Sequence, residues 1–119
     1  MSNNAAHIVT LTPAPTLDRT YFVTNLVSGA VNRADAVGEE LAGKGINVSR
    51  GLHLANVANI GIVPIGNADP AVLARTGSSD FLHPLWVDGT LRVSTTILEN
   101  GGTTTKINET PRPLSRDDW

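Results

Sequence analysis

The segment Gly38–Lys44 contains residue types that bind phosphate in many proteins. Its sequence satisfies the first seven positions of the P-loop pattern G-x-x-x-x-G-K. The next residue is Gly45, however, where a P-loop has a Ser or Thr whose hydroxyl binds Mg²⁺. A P-loop also follows a buried strand, and the residues from Arg33 to Leu41 are too polar for one. The segment therefore disfavours a P-loop nucleotide site.

A second chemical feature is the pair of glycines around Lys44. Apolar residues recur with helical spacing from Lys44 to about Ala58, so Gly43 and Gly45 lie at the predicted start of a helix. Glycine has no Cβ, so backbone N–H groups at this point can approach a ligand closely. We therefore expect an anion or a hydroxyl group to bind here.

The elements that position these residues indicate an α/β fold. A strand, a polar insertion, the helix and a second apolar strand follow in the order of a right-handed βαβ unit. The predicted strands are 7–11, 17–23, 31–40, 60–65, 81–87, 91–98 and 103–108, and the predicted helices are 44–58 and 70–75.

Four of these strands, 17–23, 31–40, 91–98 and 103–108, are too polar on both faces for a core. The last two are joined by Asn100-Gly101-Gly102, which supplies the positive φ of a tight hairpin. We expect the four strands to form a lid that protrudes from the core. Because each retains a row of apolar residues, we also expect the lid to pair with its symmetry mate in a homodimer.

Composition limits the class of protein. The 119 residues allow one ordinary domain, and 40% hydrophobic with 17% charged residues is typical of a folded chain. The net charge is −2 and the basic residues are scattered, so neither nucleic acid nor anionic lipid is an expected partner. No apolar run is long enough for a membrane span and no signal peptide is recognisable, so we expect a cytoplasmic location.

Metal and thiol chemistry are not expected in this sequence. There is no Cys, which excludes disulfides, thiolate catalysis and Cys-based zinc sites. His7, His53 and His83 have no carboxylate at metal-ligand spacing, so we interpret them as structural or solvent-facing.

The carboxyl-terminal residues resemble the start of a helix. Pro111 and Pro113 interrupt the last strand, and Ser115 is a predicted N-cap followed by Asp117 and Asp118 in the first turn. A helix start without the helix leads us to expect that residues 1–119 are the amino-terminal part of a longer protein.

Two segments together match a family signature. Residues 10–20 (TLTPAPTLDRT) and 42–50 (AGKGINVSR) resemble the amino-terminal signature of the ribokinase-like PfkB sugar kinases. Residues 31–34 (VNRA) and 105–109 (TKINE) extend the resemblance over nearly all of the chain. Within the family it is most like the 1-phosphofructokinase and tagatose-6-phosphate kinase branch.

The resemblance implies a fold and an activity. The fold would be part of a single ribokinase-like domain, with a Rossmann-type parallel sheet and a protruding β-sheet lid. The longer protein would transfer the ATP γ-phosphoryl group to a phosphohexose, most specifically fructose 1-phosphate. A kinase for tagatose 6-phosphate or for an unphosphorylated sugar is an alternative, and so is a non-catalytic module that binds sugar phosphates.

The resemblance also assigns site residues. Asp18, Gly43, Lys44 and Asn47 occupy positions that hold the sugar, and Lys44 and Arg92 would oppose its phosphate, with Arg33 as a weaker candidate. A carboxylate can accept two hydroxyl hydrogen bonds, and an amide can both donate and accept. Each polar side chain also has a structural interpretation: Asp18 in a turn, Asn47 bonded to the first helical turn, and the three cations as surface charges.

Two departures from the family pattern are visible. Ala42 stands where the first of two paired glycines is usual, and residues 66–79 lack the expected glycine-rich run. The family's catalytic base and ATP site lie in a Gly-Ala-Gly-Asp type motif, which this sequence does not contain. We therefore expect no catalytic, nucleotide or metal site in this chain, and ATP with Mg²⁺ to bind elsewhere in the longer protein.

Overall fold

The computed structural model describes residues 8–119, which form two sheets and three helical segments. His7, the predicted first residue of the first strand, lies outside the described residues. The strands are β1 (Ile8–Leu11), β2 (Thr16–Val23), β3 (Ala36–Ala42), β4 (Asn59–Gly66), β5 (Leu82–Val87), β6 (Val93–Glu99) and β7 (Thr104–Asn108). The helices are α1 (Lys44–Leu54), α2 (Val72–Arg75) and a 3₁₀ turn (Arg116–Asp118).

The core sheet has the order β1-β4-β5, and all three strands run parallel. Helix α1 packs on it through Ile46 and Ser49, both fully buried. The Ser49 hydroxyl lies 2.6 Å from the hydroxyl of Thr10 on β1, so a polar group in the core is satisfied. The predicted βαβ unit with an insertion is therefore confirmed.

The lid sheet has the order β3-β2-β6-β7. Strand β2 pairs antiparallel with β3 and parallel with β6, and β6 pairs antiparallel with β7. The turn between β6 and β7 contains Gly102 with φ +92°, as the hairpin prediction required. An α/β fold with a parallel sheet and a protruding β-sheet lid is thus confirmed.

The predicted strand 31–40 is wrong at its beginning. Strand β3 starts at Ala36, and the residues before it form an irregular connection from β2. The side-chain amide of Asn32 accepts a hydrogen bond from Val27 N–H and donates one to the Val27 carbonyl, which closes this connection. A side chain that satisfies the backbone locally replaces the ladder bonds of a strand.

The predicted helix 44–58 is wrong at its end. Helix α1 ends at Leu54, because Asn56 adopts a left-handed conformation with φ +58°. The N–H of Val57 donates to the Leu52 carbonyl at 2.8 Å, and the N–H of Asn56 donates to the His53 carbonyl at 3.0 Å. These two bonds form a Schellman motif, in which Asn takes the place of the usual Gly.

One hydrophobic core joins the two sheets. Leu17 and Leu41, at the roots of lid strands β2 and β3, are buried against Ile46 of α1 and Val63 of β4. The lid is therefore anchored at one end, and the described part of the molecule measures 56 × 35 × 21 Å. Over the described residues, no helix has the length and apolar character needed to cross a membrane.

Candidate functional site

Asp18 lies near the root of the lid sheet, on the opposite face from the buried Leu17. The strand register places it beside Glu40 on β3 and Ser94 on β6. These side chains share one face with Thr20 and Phe22, because alternate residues of a strand point to the same side. A cavity of about 290 Å³ covers this face, and its lining includes Asp18, Thr20, Phe22, Gly38, Glu40 and Thr96.

The charged residues around Asp18 have opposite effects on its pKa. Burial raises the pKa of the Asp18 carboxyl above its ordinary value of 3.8, and the neighbouring Glu40 raises it further. The cations of Lys106 and Arg92 lower the same pKa. Asp18 is therefore a partly desolvated carboxyl group on a strand, with two cations near it, and this combination makes it a candidate binding residue.

Lys106 is a member of this group that sequence reasoning missed. The register of β6 and β7 places it opposite Thr96, on the same face of the lid sheet as Asp18. The alternation of β7 could show which residues share a face with Lys106. It could not show that the β6–β7 hairpin lies next to β2, which brings Lys106 to the face of the lid sheet that carries Asp18.

Arg92 is fixed at the junction of the two sheets. Its guanidinium donates hydrogen bonds to the carbonyl oxygens of Ala14 (3.2 Å) and Glu109 (3.5 Å). Its Nε is buried and has no hydrogen-bond partner within residues 8–119. The structure therefore brings Arg92 close to Asp18 and leaves its positive charge without a carboxylate partner in the described region.

Gly43 precedes the first turn of α1, where close packing requires glycine. A Cβ on Gly43 would collide with the Thr12 methyl group, and a Cβ on Gly45 would lie 2.9 Å from the Leu11 carbonyl oxygen. Ala42, by contrast, is the last residue of β3 and pairs with Thr16. The departure at Ala42 therefore requires no positive φ, because Ala42 has ordinary strand geometry.

Lys44 and Asn47 both lie on the exposed side of the first turn of α1. The Asn47 side-chain oxygen accepts a hydrogen bond from Arg50 at 3.2 Å, while its NH₂ group has no acceptor within residues 8–119. The backbone N–H of Asn47 already donates to the Gly43 carbonyl. Gly43, Lys44 and Asn47 directly follow the end of β3. Strand β3 pairs with β2, which carries Asp18, so these residues lie at the root of the β2–β3 pair.

Thr12 is a second residue that sequence reasoning missed. Its side chain is 6% exposed, and its hydroxyl has no hydrogen-bond partner in the described part of the chain. The hydroxyl oxygen would lie 2.5 Å from a Cβ on Gly45, so it is directed at the start of α1. No signal in the sequence separates this Thr from Thr10 or Thr16.

Arg33 does not join the other candidates. It is exposed in the connection between β2 and β3, beyond the Phe22–Ala36 pair at the distal end of the lid. Phe22 lies four residues beyond Asp18, or about 13 Å along the strand. Its assigned role in phosphate binding therefore has no support from the contacts within this chain.

The P-loop interpretation of Gly38–Lys44 is excluded by the fold. Residues Ala36–Ala42 form strand β3, fully paired with β2, rather than a loop around a phosphate. Of the described histidines, His53 packs on the Phe81 ring at 5.3 Å between centroids, and His83 is exposed. Within residues 8–119, no three His, Asp or Glu side chains come together in a group that could hold a metal.

Comparison with known proteins shows the same likeness in sequence and in fold. A 1-phosphofructokinase from Xanthomonas campestris is 34% identical in an alignment of 106 residues that covers 86% of this chain and 31% of that protein. A proposed phosphofructokinase from Staphylococcus aureus superposes with a TM-score of 0.81 at 25% identity, over 93% of this chain and 36% of the other. No family model matches the sequence.

The fold likeness extends to phosphofructokinase-2 from Escherichia coli, solved with fructose-6-phosphate. Its TM-score is 0.80 at 22% identity, over 96% of this chain and 39% of that one. This chain thus spans about a third of the length of the relatives that it matches. On sequence and on fold, the chain resembles the PfkB-type, ribokinase-like sugar kinases and carries part of the fold that they share.

Proposed function

We propose that this chain is the sugar-binding, amino-terminal part of a kinase that transfers the ATP γ-phosphoryl group to fructose 1-phosphate. The observation that carries the proposal is the Asp18 carboxyl group, which has a raised pKa and lies near Arg92 and Lys106. The carboxylate would accept hydrogen bonds from sugar hydroxyls, and the cations would oppose the phosphate. A phosphorylated sugar would compensate the two cations more fully than a sugar without phosphate.

The start of α1 completes the acceptor site in this proposal. The missing Cβ of Gly43 and Gly45 lets the start of α1 pack closely against Thr12 and Leu11, and the backbone N–H groups of this helix start would donate hydrogen bonds to the sugar. Lys44 is exposed there, and the Asn47 NH₂ group would donate to a hydroxyl.

We place ATP, Mg²⁺ and the catalytic base in the longer protein, outside this chain. The residues of this chain do not fit a nucleotide site, since Gly38–Ala42 is strand and Gly45 lacks a hydroxyl. Transfer requires the acceptor oxygen to lose a proton as it bonds to the γ-phosphorus and ADP leaves. This chain would hold that acceptor, but would neither remove the proton nor bind ATP.

A kinase assay on the purified full-length protein tests the proposal. We expect the highest kcat/KM for fructose 1-phosphate among fructose 1-phosphate, fructose 6-phosphate, tagatose 6-phosphate and fructose. Preference for tagatose 6-phosphate would support the alternative sugar. Sugar-phosphate binding without any transfer would support a non-catalytic module. The isolated 119-residue chain should show no transfer, and activity there would contradict the division of roles.

The Asp18→Asn variant of the full-length protein tests the central residue. Loss of a charged hydrogen-bond partner weakens an interaction by about ten- to hundred-fold, so the KM for the sugar should rise and turnover should fall accordingly. Affinity for ATP should stay unchanged, because the carboxylate is proposed to contact only the sugar. Asp80→Asn, an exposed carboxylate outside the site, is the matched control.

A further inference from the structure

A narrow cleft lies at the carboxyl ends of the core strands, beside the acceptor site. We name it the edge cleft. It has a volume of about 40 Å³. Its walls come from the loop after β1, the ends of β4 and β5, the residues before β6 and the segment Pro111–Leu114. It shares five lining residues with a wider opening of about 500 Å³, bounded by Arg112 and Trp119. Ligands of α/β proteins bind at this edge of a parallel sheet.

The charges of the edge cleft are unbalanced. Arg92 and Arg112 both line it, and no Asp or Glu is among the described residues in its walls. The other lining residues are largely Pro, Ala, Val and Leu, and the prolines carry no N–H donor. Two guanidinium groups facing one cavity with apolar walls repel each other unless an anion lies between them.

Within residues 8–119, both arginines have donor groups that are unpaired or only weakly paired. The Arg92 Nε is buried without a partner within residues 8–119, while its other nitrogens donate only to neutral carbonyl oxygens. Arg112 is half-exposed, and its ion pair with Asp118 is long, at 3.9 Å. The Asp118 carboxylate has closer partners, since it accepts hydrogen bonds from the Ser115 N–H (2.7 Å) and the Ser115 hydroxyl (3.2 Å). Arg112 can therefore leave Asp118 without breaking the 3₁₀ turn.

We propose that Arg112 is a second phosphate-binding residue, which exchanges Asp118 for the phosphate monoester of the acceptor and holds it together with Arg92. The inference rests on the proposed function, because it takes the acceptor to be a sugar phosphate. Arginine is suited to the role because its planar guanidinium binds phosphate oxygens bidentately. The residues after β7 then contribute to specificity for a phosphorylated sugar.

Calorimetric binding to the full-length protein without ATP tests the role of Arg112. The titrants are fructose 1-phosphate, fructose and inorganic phosphate. Arg112→Gln should weaken fructose 1-phosphate and inorganic phosphate by at least ten-fold and leave fructose unchanged, and Arg112→Lys should recover part of the loss. Arg116→Gln changes an exposed arginine of the same segment that does not line the cleft, so it should bind as the wild type does.

A second variant separates a direct contact from a structural effect. Asp118→Asn keeps an oxygen for the Ser115 bonds and removes the charge that competes for Arg112. Phosphate affinity should therefore rise a few-fold, and the double variant should behave like Arg112→Gln alone. A purely structural role predicts weaker binding in both single variants.

The outcomes distinguish this inference from the proposed function. Wild-type affinity in Arg112→Gln, or equal loss of fructose and fructose 1-phosphate, would overturn the role of Arg112 whether or not the protein is a kinase. Phosphate binding that depends on Arg112 in a protein without kinase activity would support the anion site and overturn the kinase assignment instead.

Discussion

Glu39 and Arg75 form an ion pair that connects the lid sheet to the core, with 2.9 Å between the Glu39 Oε1 and the Arg75 Nε. The other oxygen of Glu39 accepts two hydrogen bonds from Arg19 on β2. Arg75, on α2, also binds both oxygens of Asp69. Four charged residues from two lid strands, the loop after β4 and α2 thus form one network.

Glu39→Gln should destabilise the chain by about 1–2 kcal/mol at pH 7, because one carboxylate that holds two arginines is lost. The hydrogen bond from Arg19 lowers the pKa of Glu39 below its ordinary 4.5. A lowered carboxyl pKa stabilises the fold above the unfolded pKa, and that stability is lost as the pH falls through the folded pKa. The difference from wild type in urea unfolding should therefore shrink below about pH 4.5.

Glu40→Gln is the matched control for Glu39. The Glu40 side chain is 63% exposed and forms one ion pair, with Arg50 at 3.2 Å. It also repels Asp18, so its neutralisation should change stability by less than about 0.5 kcal/mol. Equal losses for the two variants would show that the network does not stabilise the lid junction.

Gly45→Ala should destabilise the chain by about 1–3 kcal/mol, because overpacking against fixed atoms is costly. The new Cβ would lie 2.9 Å from the Leu11 carbonyl oxygen, which is backbone and cannot move aside. Gly51→Ala, in the same helix, meets nothing within 4 Å and should stabilise by up to about 1 kcal/mol. Thermal unfolding of the two variants measures the contrast, and an unchanged or raised stability of Gly45→Ala would contradict the predicted overpacking.

Asp18→Asn should make the folded chain more stable at pH 7, although it should weaken sugar binding. Burial raises the pKa of Asp18, so ionisation of this group penalises the folded state. Below about pH 3.8, the ordinary value, the carboxyl is neutral in both states and the penalty is absent. The gain in unfolding free energy should accordingly disappear on acidification. A variant that is less stable than wild type at pH 7 would refute the conclusion that the ionised Asp18 carboxyl destabilises the folded state.

We expect the lid to mediate a homodimer, and two exposed apolar side chains test this. Val37 and Ile107 lie on the face of the lid sheet opposite Asp18, with 54% and 61% of their surface exposed. Val37→Asp or Ile107→Asp should give a monomer in sedimentation equilibrium, because a buried unpaired charge opposes association. Val48→Asp, on α1 and 53% exposed, should remain dimeric. A monomeric wild type would refute the expected dimer.

Local sequence patterns predicted the hairpin and the last helix start correctly. The hairpin at Gly102 follows from residues that permit positive φ, and the N-cap at Ser115 with acidic residues in the first turn follows from the residue types that begin a helix. Both depend on interactions within a few residues. The two wrong boundaries also have local causes, which hydrophobic periodicity does not reveal. The Asn32 side chain accepts a hydrogen bond from the backbone before β3, and Asn56 adopts the positive φ that ends α1.

The sequence by itself determined the α/β class, the polar strands of the lid, the glycine-flanked start of α1 and the family resemblance. The tertiary structure alone decided that β6 lies parallel to β2, which brings Lys106 and Arg92 close to Asp18. It also decided which arginines share the edge cleft and that Arg33 is distant from Asp18. The physical reason is that strand pairing depends on side-chain packing and backbone hydrogen bonds between residues far apart in the chain, whereas turns, caps and periodicity depend on near neighbours.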